Sequence, residues 1–175
     1  MANHLRSLGY QVRIDYPMQN HKVDIWADKN GRKLLIEMRF RTSLLKTIYN
    51  GNHIHLKKQG ALDVSRYDFI KDVKKLEDIT KTRADYTGYA LLITNEHLYW
   101  KPSPKGDAVD KDFHIHQDRI LTGNCSWDEK ASKGTTNRRE EPIHLVNQYH
   151  LKWKDYLTLG TSINEQFKAL LIEVR

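Results

Sequence analysis

The stretch Lys22-Val-Asp-Ile-Trp-Ala-Asp-Lys-Asn-Gly-Arg-Lys-Leu-Leu-Ile-Glu-Met-Arg-Phe-Arg-Thr42 restricts the fold more than any other part of the chain. Residues 23–27 and 34–40 are rich in β-branched, aliphatic and aromatic side chains, and Asn30-Gly31 between them is a strong β-hairpin signal. A two-residue turn there pairs Lys29 with Arg32. Counting outward through Asp28 and Lys33, Ala27 and Leu34, Trp26 and Leu35, and Ile25 and Ile36 sets Asp24 opposite Glu37, with both carboxylates on one face of the sheet. A four-residue loop keeps the parity but moves Asp24 opposite Leu35, and a three-residue bulged loop breaks the alignment.

Directly opposed residues lie about 4.5–5.5 Å apart at Cβ, and like charges there destabilise a sheet. A divalent cation offsets such repulsion, since Mg²⁺ is held by one or two carboxylates together with waters and substrate phosphates. Alternation also places Arg39 and Arg41 on the face of Glu37. An exposed hairpin would instead pair the acids with Lys22, Arg39 and Arg41. The run Leu34-Leu-Ile-Glu-Met38 reads as a central strand buried on both faces and interrupted by one acid. A charge buried there without a partner or a metal is costly.

Charge distribution bears on what such a site attracts. The net charge is +7, and residues 1–58 hold eleven Lys/Arg against four Asp/Glu while residues 59–175 hold eighteen of each. The whole surplus accompanies the hairpin. A basic field around a carboxylate pair suits a site that draws in a polyanion while holding a metal, which points to nucleic acid. At 175 residues, 39% hydrophobic, the chain is expected to be one globular domain with a sizeable core. No apolar run approaches the ~18–20 residues of a membrane span, and the N-terminus shows no signal-peptide segment. Cys125 is the single cysteine, so the expected compartment is a reducing cytoplasm.

In chain order, residues 2–8 form a short helix ended by Gly9, and residues 10–16 alternate as a strand stopped by Pro17. The hairpin follows. Residues 43–61 have no clean period and carry Gly51, Gly60, Lys46, Lys57 and Lys58, so they are expected as a loop acting as a flap over the site. A helix capped by Asp63 or Ser65 runs to about Lys81, with Tyr67, Ile70, Val73 and Leu76 on its inner stripe. Its other face, bearing Lys71, Lys74, Lys75 and Glu77, is expected to be solvated. Residues 88–100 are a buried strand followed by a turn, and strand, crossover helix and strand imply a mixed sheet.

Beyond residue 101 the pattern weakens until a short strand at 113–116, a polar loop at 130–141, and strands at 149–156 and 167–174. The alternating pairs His53/His55 and His114/His116 would suit a zinc ion, but no spacing supplies a recognised ligand set.

The order helix, three strands, helix, strand, with Asp24 on the second strand and Glu37-Met38-Arg39 on the third, resembles the PD-(D/E)xK nuclease superfamily. More closely, Ile36-Glu-Met-Arg-Phe-Arg-Thr42, Gln59-Gly-Ala, Arg66-Tyr-Asp-Phe-Ile-Lys-Asp-Val-Lys-Lys-Leu-Glu77 and Gly88-Tyr-Ala-Leu-Leu-Ile-Thr-Asn95 are similar to a bacterial branch of it. The resemblance covers residues 1–100, with a weaker echo at 149–156. It implies an α/β fold with a restriction-endonuclease-like αβββαβ core, a mixed central sheet flanked by helices, and a loop-rich C-terminal extension with added strands. It further implies a Mg²⁺- or Mn²⁺-dependent DNA endonuclease of restriction or defence. Asp24, Glu37 and the Met38 carbonyl would be metal ligands, and Asp24, Glu37 and Arg39 the catalytic set. Lys22, Arg41, Lys46, Lys57 and Lys58 would contact nucleic acid.

Arg39 stands where the superfamily has Lys, so it can stabilise charge but cannot act as a base. Residues 1–14 hold no acid for the superfamily's first helix, and Asp15 is the candidate replacement. A homodimer that cuts both strands of duplex DNA belongs to the same expectation, although no interface signature stands out. The alternative readings are a catalytically impaired nuclease-like DNA-binding module and a histidine-based zinc protein.

Overall fold

The computed structural model describes residues 1–18, 21–103 and 108–175. In chain order the elements are α1 (Ala2–Ser7), β1 (Gln11–Met18), β2 (His21–Lys29), β3 (Arg32–Arg41), β4 (Leu45–Tyr49), β5 (Asn52–Leu56), α2 (Leu62–Thr80), β6 (Tyr86–Thr94), β7 (Ile120–Cys125), α3 (Lys133–Thr136), β8 (Ile143–His150), β9 (Trp153–Thr158) and β10 (Gln166–Val174). Six strands form one sheet in the order β1-β2-β3-β6-β10-β9. β3 and β6 are parallel and the other neighbours antiparallel. The sheet is therefore mixed, as the hairpin followed by a crossover helix requires.

The β2–β3 turn follows the two-residue geometry. Asn30 and Gly31 have φ of 54° and 82°, the positive pair that a type I′ turn demands. Pairing runs from Lys29 with Arg32 to Ile25 with Ile36, which is the register counted from the sequence. Pro17 lies inside β1, paired with Lys22, rather than ending it; β1 is an edge strand, where a residue without an N–H is tolerated.

α2 covers one face of the sheet. Its Tyr67, Phe69, Ile70, Val73, Leu76 and Ile79 are all nearly or wholly buried. The helix sits so close to β6 that a Cβ on Gly88 would come within 3.0 Å of the Leu76 Cβ. α1 and α3 contribute no buried residue, so where flanking helices were expected, α2 alone among the described helices packs a buried face on the sheet. The opposite face leaves Phe40 and Leu171 exposed.

Other expectations are corrected by the structure. Residues 43–61 are not a loop, because most of them form the β4–β5 hairpin about Asn50-Gly51, whose φ values of 49° and 74° again mark a two-residue turn. The expected strand at 113–116 is a 3-10 turn at Lys111–Phe113 followed by an extended segment, with Phe113 and Ile115 fully buried. Residues 130–141 include the single turn α3. The strand expected over 149–156 is split, ending as β8 at His150 and restarting as β9 at Trp153. Residues 104–107 of the weakly patterned stretch lie outside the described residues.

Glu77, expected on the solvated side of α2, is buried. Its carboxylate accepts the Val146 and Asn147 N–H groups (3.0 and 2.9 Å) and the Tyr149 hydroxyl (2.9 Å), tying β8 to the helix. A second buried tie joins α2 to the segment before β7. The Arg66 guanidinium donates to Asp110 Oδ2 at 2.7 Å and to the Leu98 carbonyl at 2.6 Å, and His114 Nε2 lies 3.1 Å from Asp110 Oδ1. Burial alone would push the Asp110 carboxyl up, but hydrogen bonds from His114 and Arg66 outweigh it and hold it at about 2.

Asp110 therefore stabilises the fold above the ordinary aspartate value near 3.8, and that contribution is lost as pH falls toward about 2. Asp110→Asn is expected to cost about 2–4 kcal/mol at pH 7, because Arg66 loses its buried counter-charge. Urea denaturation should show the two proteins converging in stability between pH 4 and pH 2.

Candidate active site

Alternation along β3 directs Leu35, Glu37, Arg39 and Arg41 toward α2. Leu35 joins the core, but Glu37, only 5% exposed, brings a carboxylate under the helix. Asp24 lies just beyond the last Ile25–Ile36 pair of the β2–β3 ladder. Its Oδ2 accepts the Met38 N–H at 2.7 Å, replacing a strand-to-strand bond with a side-chain bond where the ladder ends. The two acids are thus brought together at the end of the hairpin pairing.

The cation facing Glu37 comes from the helix. Lys75 Nζ lies 2.7 Å from Glu37 Oε1, 2.9 Å from the Lys22 carbonyl oxygen and 3.9 Å from Asp72 Oδ1. Lys75 meets Glu37 Oε1 as an ion pair, and among the described residues no other donor reaches that oxygen. Burial pushes the Glu37 carboxyl up to about 7; Lys75 opposes this shift, while Asp72 and Asp24 add to it. Burial likewise raises Asp72 against the lowering effect of Arg39 and Lys75.

Arg39 does not face Glu37 as its main partner. Its Nε donates to Asp72 Oδ2 at 2.5 Å and its Nη2 to the Asp68 carbonyl oxygen at 3.2 Å. Asp68 in turn takes a two-point contact from Arg139, at 2.8 and 3.0 Å. Burial would lower the Arg39 value, but the hydrogen bond and charge of Asp72 and the charge of Asp68 raise it, keeping the guanidinium charged. Charges alternate along the path Glu37, Lys75, Asp72, Arg39, Asp68, Arg139.

An opening of about 230 Å³ lies beside this centre, lined by His21, Lys71, Asp72, Lys74, Lys75 and Asp78. Lys74 is held by Asp78 at 2.6 Å. Its lining mixes three lysines with Asp72 and Asp78.

The remaining candidates make contacts of their own. Asp15, on the edge strand β1, is largely exposed and pairs with Lys22 of the neighbouring β2 at 3.0 Å. Arg41 donates to the Gly60 carbonyl at 2.8 Å. Lys46, Lys57 and Lys58 are exposed on or beside the β4–β5 hairpin. Met38 is known at the site through its N–H, which Asp24 occupies. Sequence reasoning missed Lys75 and Asp72. A signal for them was present: Asp68, Asp72 and Lys75 follow the three- and four-residue spacing that lines one side of a helix, and a helix crossing over β3 must present some side to Glu37.

Among the described residues no three His, Cys, Asp or Glu side chains are grouped closely enough to hold a metal by themselves. A structural zinc site takes four protein ligands. His114 is committed to Asp110, and His116 Nδ1 lies 3.0 Å from the Gln117 carbonyl. A Mg²⁺ ion asks for less, only one or two carboxylates with waters and phosphate oxygens. Glu37, raised by burial and by two neighbouring acids, is a carboxylate whose ionised form an added cation would favour, so Asp24 and Glu37 fit that ion. No helix is long and apolar enough to cross a membrane among the described residues. Comparison of the chain with family models, curated proteins and solved structures gives no match.

Glu37 also predicts a measurable cost to stability. A carboxyl raised from 4.5 to about 7 in the folded chain contributes stability below pH 4.5 that is lost as pH rises through about 7. Glu37→Gln, without the charge, is expected to match the unsubstituted protein at pH 4.5 and to exceed it by about 1–3 kcal/mol at pH 8 without divalent metal. Thermal or urea denaturation across that range checks it, and a variant less stable at pH 8 would contradict the buried-charge account.

Proposed function

We propose that the protein is a metal-dependent nuclease that hydrolyses phosphodiester bonds in DNA, built on a restriction-endonuclease-like core. The observation that carries this reading is the buried Glu37 carboxylate, with Asp24 at the end of the same hairpin ladder and the Lys75 ammonium at 2.7 Å. The order α1-β1-β2-β3 and α2-β6, with the β4–β5 hairpin inserted between β3 and α2, and the Asp24…Glu37-Met38-Arg39 spacing support the resemblance. The basic excess of residues 1–58 supplies a field that draws in a phosphate backbone.

Asp24 and Glu37 would hold Mg²⁺ or Mn²⁺, with the Met38 carbonyl as the third protein ligand that the resemblance implies. The chemistry such an ion supplies when bound is a water of lowered pKa and a polarised phosphoryl oxygen. Lys75 places a positive charge beside Glu37, where it opposes the negative charge that develops on a phosphate under attack. Unlike a guanidinium, its ammonium can also release a proton. Arg39 is a positioning residue, since it holds Asp72 and thereby the turn of α2 that carries Lys75. A single centre cuts one strand, so cleavage of both strands calls for a second copy or a second encounter.

One observation favours a second reading, a nuclease-like module that binds DNA without cutting it: Lys75 already neutralises Glu37. Plasmid DNA incubated with Mg²⁺, Mn²⁺ or EDTA separates the two. The nuclease reading expects cleavage that EDTA abolishes, that Glu37→Gln abolishes, and that Lys75→Met slows by about 10²-fold or more with DNA affinity retained. Arg39→Lys should slow cleavage and lower stability together. Cleavage that survives EDTA or Glu37→Gln would sink the assignment, and salt-sensitive binding with no cleavage would establish the module.

A further inference from the structure

The β4–β5 hairpin has two unlike faces. Leu45, Thr47, Ile54 and Leu56 turn inward and are buried or half-buried, whereas Lys46, Ile48, His53 and His55 are exposed and share the outer face. Residues 44–58 contain three Lys and two His and no Asp or Glu. Most cations elsewhere near the acids are paired, yet none of these five side chains makes an ion pair or hydrogen bond with another described residue. Ile48, 61% exposed, stands between Lys46 and the turn. A shallow groove of about 430 Å³ lies along Lys46, Thr47, Ile48, His53, Ile54 and His55.

The hairpin is also fixed in place. Thr42 Oγ1 donates to the Lys57 carbonyl at 2.7 Å and the Gln59 N–H to the Thr42 carbonyl at 2.8 Å, closing its base on the end of β3. From its inner face Thr47 Oγ1 donates to Glu165 at 2.9 Å, and Asn164 Nδ2 donates to the Leu44 carbonyl at 3.2 Å. A bare cationic ribbon held rigidly from behind has no internal use for its outer face. Its base leaves β3 at Arg41, four residues or about 13 Å along the strand from Glu37.

We infer that the β4–β5 hairpin is a DNA-docking arm whose outer face, Lys46, Ile48, His53 and His55, enters the major groove of B-form duplex DNA. This rests on the nucleic-acid reading above and adds to it the B-form duplex and the groove by which the substrate is held. The major groove of B-DNA admits a two-stranded ribbon and presents guanine N7 and O6 and the thymine methyl, which suit imidazole and ammonium donors and the Ile48 side chain. The major groove of A-form RNA is too deep and narrow for side chains to read. Lys57 and Lys58 at the base are placed to meet the flanking phosphates.

The test is dimethyl sulfate footprinting of the unsubstituted protein on duplex DNA in EDTA, with anisotropy titrations on a DNA duplex and an RNA duplex of matching sequence. Expected are protection of guanine N7 in the major groove without protection of adenine N3 in the minor groove, and tighter binding to DNA than to RNA. The variant Lys46→Ala/Ile48→Ser/His53→Ala/His55→Ala, altered only at exposed positions, should bind DNA ~10-fold or more weakly, with a salt slope smaller by about 1. Equal binding of RNA, protection confined to adenine N3, or unchanged variant affinity would overturn the arm while leaving metal-dependent cleavage intact. Absence of binding to either duplex would overturn the arm and the nucleic-acid reading together.

Discussion

A carboxylate buried in the middle of a sheet is the constraint on which the arrangement turns. Glu37 occupies a position on β3 whose neighbours Leu35 and Ile36 are core residues, and ionising it there opposes the hydrophobic logic of the strand. Its nearest compensation is Lys75, which arrives from α2 rather than from the sheet. The helix that builds the core with Val73, Leu76 and Ile79 therefore also supplies the charge that makes Glu37 tolerable. Packing and electrostatics are set by the same crossing, and the close fit of Leu76 against Gly88 fixes how near that crossing is.

The hairpin and its register were legible because they depend on local rules: two apolar runs, a turn that accepts positive φ at both central residues, and strict alternation. Those rules reach as far as the convergence of Asp24 and Glu37. They do not reach the partners of Arg39, which follow from the rotation of α2 about its own axis. Lys75 and Glu77 look solvated in the sequence because a charged residue on an amphipathic helix is ordinarily at the surface. The face opposite the apolar stripe is indeed wet at Lys71 and Asp78, but the flanks of the stripe are not. Glu77 meets the free N–H groups of β8 and Lys75 meets Glu37, and both contacts depend on distant sequence.

The β4–β5 segment hides its strands in sequence for a different reason. Its inner face, Leu45, Thr47, Ile54 and Leu56, alternates with Lys46, Ile48, His53 and His55, and an apolar isoleucine on each face blurs the period. Asn50-Gly51 is the same turn signal that identifies the β2–β3 hairpin. Weighted equally, it marks a second hairpin there. The separation of β8 from β9 lies beyond such reasoning, because β8 leaves the central sheet to pair with β7 while β9 enters it beside β10.

The positions of the two cations near Glu37 suit their chemistries. Arg39 extends from the strand toward Asp72 and Asp68, and a planar guanidinium with several fixed donors is suited to join separate acceptors on successive helical turns. Lys75 extends from the helix toward the Glu37 carboxylate and the Lys22 carbonyl, with Asp72 farther off at 3.9 Å, and a compact ammonium meets them without a required plane. A lysine at position 39 would leave Asp72 and Asp68 less firmly tied, and α2 would lose part of the restraint that aims Lys75. An arginine rather than a lysine at position 39 therefore leaves the acid with a cation: the strand residue braces the helix, and the helix residue Lys75 faces Glu37.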